Sequence, residues 1–194
     1  MRTALYFGSF NPVHNGHIAI ARFVKDSGLC DQVWFVISPQ NPLKATEELA
    51  DESHRLAMLE LAVGEYKDLK ISTIEFSMPR PSYTIDTLDR LKQDFSEYEF
   101  SIIMGMDNLA LLSQWKNSER IVDENRILVY PRLGFSMPET VHPNIHVMHE
   151  APLFDVSSTQ IRQKLWEGKS VSGLIPENII QYIKDNALYK KSMD

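Results

Sequence analysis

At 194 residues the chain has the length of one ordinary domain, 1–194, and can bury a substantial core. Its formal net charge of −6 argues against a nucleic-acid partner, because general nucleic-acid binders need a basic surface to displace counterions from phosphates. Any phosphate site must therefore be a local basic pocket.

The opening residues MRTALYFGSF hold too short an apolar run for a signal peptide, and no later run approaches the length of a membrane span. Cys30 is the only cysteine, so neither an intramolecular disulfide nor a cysteine metal cluster can form. A cytoplasmic protein with no membrane partner is expected, and Cys30 reads as a small buried residue. Taken in order, TALYF, QVWFVI, LKISTIEF, EFSIIM, RILVY and NIHVM have strand length, and most are rich in β-branched or aromatic residues. Between them HRLAMLELAVGEY and YTIDTLDRLKQDF place apolar residues three and four apart, as one buried helix face requires. This alternation predicts an α/β fold, a doubly wound parallel sheet covered on both faces. The end of the chain differs. STQIRQKLWEGK is helical, GKSVSG is a turn, and PENIIQYIKDNALY opens with proline at a plausible first helical position. Residues 158–190 are thus expected to form a small C-terminal helical portion.

In an open parallel sheet, ligands bind beyond the carboxyl ends of the strands. The stretch YFGSFNPVHNGHIAIA lies at such an end, with ALYF as strand, GSFNPV as loop and His14 onward as helix. Gly8 allows close backbone approach, Pro12 stiffens the turn, and Gly16 removes a side chain where a bulky ligand would pass. His14 and His17 lie three apart in the first turn, beside the positive end of the helix dipole. The combination suits phosphates. A metal pair, which more often uses the i, i+4 spacing with a nearby acid, and histidines that merely cap and pack are the competing readings.

Further along, Ser157, Ser158 and Thr159 are placed to cap a helix and offer hydroxyls to a second anion, with Arg162 one turn on; the plain alternative is a capped helix with a solvated arginine. Asp107 follows Gly105 at a strand end, where a carboxylate accepts ribose hydroxyls or caps the next helix. Trp115 can stack on a flat ring or pack in the core. Arg55 suits an ion pair or a contact that fixes a loop, and Arg132 a phosphate or solvent.

GSFNPVHNGH resembles the N-terminal signature of the nucleotidyltransferase superfamily, which carries a His-x-Gly-His element on a Rossmann-like fold. SPQNPLK, SHRLAMLELA, PSYTIDTL, IIMGMDNLALLSQW and VSSTQIR follow in order, and together they resemble the bacterial nicotinate mononucleotide adenylyltransferases over nearly the whole chain. That resemblance implies transfer of AMP from ATP to nicotinate mononucleotide, with Mg²⁺ arriving with ATP and no dedicated metal site. It implies catalytic roles for His14, His17, Lys44 and Arg162. It places ATP at Gly8, Ser9, Phe10, His14, Gly16, His17, Ser157, Ser158, Thr159 and Arg162. The mononucleotide is assigned Lys44, Tyr83, Thr84, Gly105, Asp107 and Trp115. Two departures stand out: Ser9 and Asn11 replace the family's usual Gly-Thr-Phe-Asp pattern around Phe10, and Leu43 replaces a common histidine. Acceptors such as nicotinamide mononucleotide or phosphopantetheine, and a non-catalytic nucleotide sensor, are the rival functions. The sequence neither requires nor excludes a homo-oligomer.

Overall fold

The computed structural model describes residues 1–40, 49–136 and 142–190. Six strands form one sheet: β1 (Arg2–Gly8), β2 (Gln32–Ile37), β3 (Leu69–Ser72), β4 (Glu99–Gly105), β5 (Arg126–Tyr130) and β6 (Ile145–Val147). All neighbours are parallel, in the order β3-β2-β1-β4-β5-β6. The strands are apolar on both sides because both sides are covered. Ala4 and Tyr6 of β1, Val33, Phe35 and Ile37 of β2, and Leu128 of β5 face one core. Leu5, Val36, Ile102, Met104, Ile127 and Val129, the alternate residues, face the other.

The first core is closed by α1 (Asn15–Asp26), α2 (Glu52–Val63), α6 (Ser158–Trp166) and α7 (Glu177–Asp185), through residues such as Ile20, Val24, Met58, Ile161 and Ile183. The second is closed by α3 (Thr84–Asp94), α4 (Met106–Ala110) and α5 (Ser118–Glu124) through Leu88, Leu91, Met106 and Ile121. The doubly wound parallel sheet and the C-terminal helix pair match the sequence expectation. Two details differ. β3 stops at Ser72 and Ile74–Ser77 form a turn of 3-10 helix, where the LKISTIEF run predicts a longer strand. Glu75 is the reason: it is 2% exposed, and the turn carries its carboxylate to the hydroxyls of Ser82 and Thr87 at 2.6 and 2.9 Å. The short helices α4 and α5 are each too brief to display a period.

Strand order reverses between β1, which leads away through β2, and β4, which leads the other way through β5. The loops after these two strands diverge and leave a crevice at their carboxyl ends.

Candidate active site

The loop after β1 has its carbonyls engaged by protein donors. Gly8 O accepts from Ser38 N at 2.9 Å, Ser9 O from the Arg55 guanidinium at 2.9 Å, Asn11 O from Arg162 at 3.0 Å and Pro12 O from the Ser158 hydroxyl at 2.8 Å. Arg55 is 1% exposed and binds only carbonyls in these contacts, adding those of Ser38, Pro39 and Ala50, so it fixes loops. With its acceptors engaged elsewhere, the loop presents a field suited to an anion.

His14 is the N-cap of α1, and its ring stacks on that of His17 with centroids 3.6 Å apart. His17 N donates to His14 Nδ1 at 3.3 Å, and His14 N donates to His17 Nδ1 at 3.2 Å. An imidazole that accepts at Nδ1 and is neutral carries its proton on Nε2. Both rings line the crevice. His14 is held neutral: burial, reinforced by the positive charge of Arg132, pushes its pKa down to about 3. Gly16 lines the crevice too, yet a Cβ there would first meet the His14 ring at 3.0 Å and Val156 at 3.2 Å. The missing side chain makes room for the His14 ring and Val156.

These groups border a cavity of about 420 Å³. Its far wall is the start of α6, where Ser157 and Gln160 form a reciprocal cap, with Thr159 and Arg162 beside it. Ser157 and Ser158 use their hydroxyls internally, the first within the cap and the second on Pro12 O, so the N-terminus of α6 and Arg162 are the anion-attracting parts. Tyr130, Arg132, Pro152 and Phe154 close the remaining side.

A second cavity of about 300 Å³ lies beside the first, and the two share Phe7, Gly8, Asp107 and Asn108. Tyr83, Thr84, Trp115, Lys116 and the buried Glu75 line it. Tyr83, the N-cap of α3, makes no side-chain cap, so the helix presents an uncapped positive end at this cavity. Burial pushes the Glu75 carboxyl up, while the Ser82 and Thr87 hydroxyls pull it partly back. Lys116 is tethered to both oxygens of Asp86 and lies 4.8 Å from the centre of the Tyr83 ring. Three buried polar atoms with no hydrogen-bond partner among the described residues lie here, Ser9 Oγ in the first cavity, Trp115 Nε1 in the second and Asp107 Oδ1 in both, while Trp34 Nε1 and Asn125 Oδ1 lie elsewhere. Arg132 Nε comes within 3.7 Å of that Asp107 oxygen. Such atoms are costly in a closed core and fitting where a polar ligand enters.

The structure thus brings Gly8, Ser9, Phe10, His14, Gly16, His17, Ser157, Ser158, Thr159 and Arg162 to the first cavity, and Tyr83, Thr84, Asp107 and Trp115 to the second. Gly105 lines neither; it sits at the end of β4, close to Asp107 and Tyr130. Lys44 and Leu43 lie outside the described residues. Sequence reasoning missed Glu75, Lys116, Pro152 and Phe154. Only Glu75 left a signal, as an acid within an apolar run.

The model of the cytidylyltransferase-like family matches residues 5–164. A probable nicotinate-nucleotide adenylyltransferase of Flavobacterium johnsoniae is 45% identical over 195 residues, covering 98% of this chain and 100% of the relative. Its counterpart in Bacteroides fragilis is 44% identical, covering 98% and 90%. Among solved structures, Plasmodium falciparum nicotinic acid mononucleotide adenylyltransferase complexed with NaAD superposes with a TM-score of 0.84 at 21% identity, covering 97% of each chain. The chain belongs to the cytidylyltransferase-like family and, within it, to the nicotinate-nucleotide adenylyltransferases.

Proposed function

We propose that the chain transfers the adenylyl group of ATP to nicotinate mononucleotide, a step of NAD biosynthesis. An oxygen of the acceptor's 5′-phosphate bonds to the α-phosphorus of ATP as the bond to the β-phosphate oxygen breaks. Nicotinate adenine dinucleotide and pyrophosphate leave, and no group becomes attached to the protein. The single observation that carries this reading is the pair of cavities meeting at Gly8 and Asp107: two nucleotides laid in them would bring their phosphates together at the shared border.

In this scheme the first cavity takes ATP. The Nε2–H groups of His14 and His17 and the Arg162 guanidinium stabilise charge on the phosphates, with His17 nearest the transferred group. Positioning and charge stabilisation supply the catalysis, because such a displacement needs no nucleophile from the protein. The second cavity takes the mononucleotide, with Trp115 against the pyridine ring and the N-terminus of α3 toward its carboxylate. Lys44 is a further phosphate ligand in this proposal. Among the described residues no cluster of three or more His, Cys, Asp or Glu is placed to hold a metal. Mg²⁺ carried on the triphosphate needs none and would neutralise phosphate charge. No helix among the described residues is long and apolar enough to cross a membrane, and we place the reaction in the cytoplasm.

Pyrophosphate release from ATP, screened against nicotinate mononucleotide, nicotinamide mononucleotide and phosphopantetheine, tests the assignment. Preferred use of the carboxylate acceptor is expected. Equal or better use of the amide overturns the acceptor, and ATP binding without turnover of any acceptor makes the protein a sensor.

A further inference from the structure

The chain leaves α7 at Asp185 and turns back sharply, with Ala187 and Tyr189 both in the left-handed region at φ 53° and 57°. Neither residue is glycine, and two such residues within three positions persist only where surroundings hold them. Leu188 and Tyr189 pack against the first core, and the Tyr189 hydroxyl donates to Asn11 Oδ1 at 2.7 Å. The two residues are 178 positions apart. Burial holds the Tyr189 phenol well above its usual pKa, so it remains a donor throughout the neutral range.

Asn11 is 3% exposed and joins several elements. Its Oδ1 also accepts from Ala50 N at 3.1 Å, just before α2, and its carbonyl accepts from Arg162 of α6 at 3.0 Å. One side chain therefore ties the loop after β1 to α2 and to the end of the chain, and its backbone ties the loop to α6. We infer that Tyr189 is a positioning residue for the ATP site: its hydroxyl fixes Asn11, and through Asn11 the spacing between the loop after β1 and Arg162. Tyr189 itself does not line the cavity. Its effect reaches the phosphates through the loop, where a displacement of a fraction of an ångström weakens charge stabilisation.

This inference rests on the assignment of the first cavity to ATP, and the test separates the two. Tyr189→Phe keeps the ring that packs on the core and removes only the hydrogen bond. Steady-state kinetics should show kcat/KM for ATP lowered about 3- to 10-fold, the fold-change of one buried hydrogen bond. The acceptor KM should stay within about twofold, because the second cavity has other walls. In an Asn11→Ala background the same substitution should cost little more, since its partner is already gone. Equilibrium binding of ATP is the second readout. Should wild-type protein not bind ATP, the site assignment fails. Should wild-type bind and Tyr189→Phe bind and turn over ATP equally, with only the thermal midpoint lowered, Tyr189 is structural and the inference falls. An unchanged cost of Tyr189→Phe in the Asn11→Ala background overturns it as well.

Discussion

His14 and His17 hold each other: each Nδ1 accepts the other's backbone amide, and the two rings stack 3.6 Å apart. The capping of α1 and the orientation of the two rings are therefore one arrangement. If His17 stabilises the transferred group as proposed, His17→Ala should lower kcat by about 10²- to 10³-fold, as loss of one preorganised donor does elsewhere. Pyrophosphate release measured at saturating substrates checks this, with circular dichroism to confirm the fold. Turnover within a few-fold of wild type would remove His17 from the catalytic group.

The same pair shows how far sequence carries. Two glycines, a proline and two histidines between a strand and a helix point to an anion site, and the alternating apolar runs identify the parallel sheet. What stays hidden is every contact that joins distant positions. Arg55 to Ser9 spans 46 residues and Tyr189 to Asn11 spans 178, and nothing in local pattern announces either. The hydroxyls of Ser157 and Ser158 look alike in sequence as phosphate ligands, but folding directs one into a helix cap and the other onto Pro12. Glu75 is visible only as an acid in an apolar run, and its partners become known once α3 is in place.

His14 also gives the fold a pH dependence. Its folded pKa of about 3 lies below the ordinary 6.5 because burial opposes the charged ring. At pH 7 it is neutral in the folded chain and mostly neutral in the unfolded one, so it makes little difference between them. As pH falls below 6.5 the unfolded chain takes up a proton that the folded chain refuses until about pH 3, so stability falls, with a slope that approaches about 1.4 kcal/mol per pH unit only in the middle of that window. His14→Asn keeps a capping acceptor without the titrating ring. Urea midpoints at pH 7 and pH 5 should show wild type losing more stability than His14→Asn; equal losses would contradict the assigned burial effect.

Trp115 lines the second cavity with its indole Nε1 unpartnered among the described residues. If it stacks on the pyridine, Trp115→Ala should raise KM for nicotinate mononucleotide about 10-fold or more, given the usual 1–3 kcal/mol of base–aromatic stacking. KM for ATP should change little, because Trp115 does not border the first cavity. Trp115→Phe should recover part of the loss. A rise in both constants together would mean that Trp115 supports the core instead.

Glu75 separates charge from hydrogen bonding at the same cavity. Its two oxygens take the hydroxyls of Ser82 and Thr87, which flank the first turn of α3 on either side of Tyr83 and Thr84. Glu75→Ala removes the acceptor of the Ser82 hydroxyl and leaves the Thr87 hydroxyl only the Tyr83 carbonyl at 3.3 Å, so it should destabilise the fold by about 2 kcal/mol. Glu75→Gln retains an acceptor and most of the volume, so its stability should lie much nearer wild type. If the clamp serves the acceptor site, KM for nicotinate mononucleotide should rise severalfold in Glu75→Ala and less in Glu75→Gln, with KM for ATP unchanged in both. Thermal melts and the two KM values decide the matter: a Glu75→Ala protein with a lowered midpoint and an unaltered acceptor KM would confine this carboxylate to holding the fold.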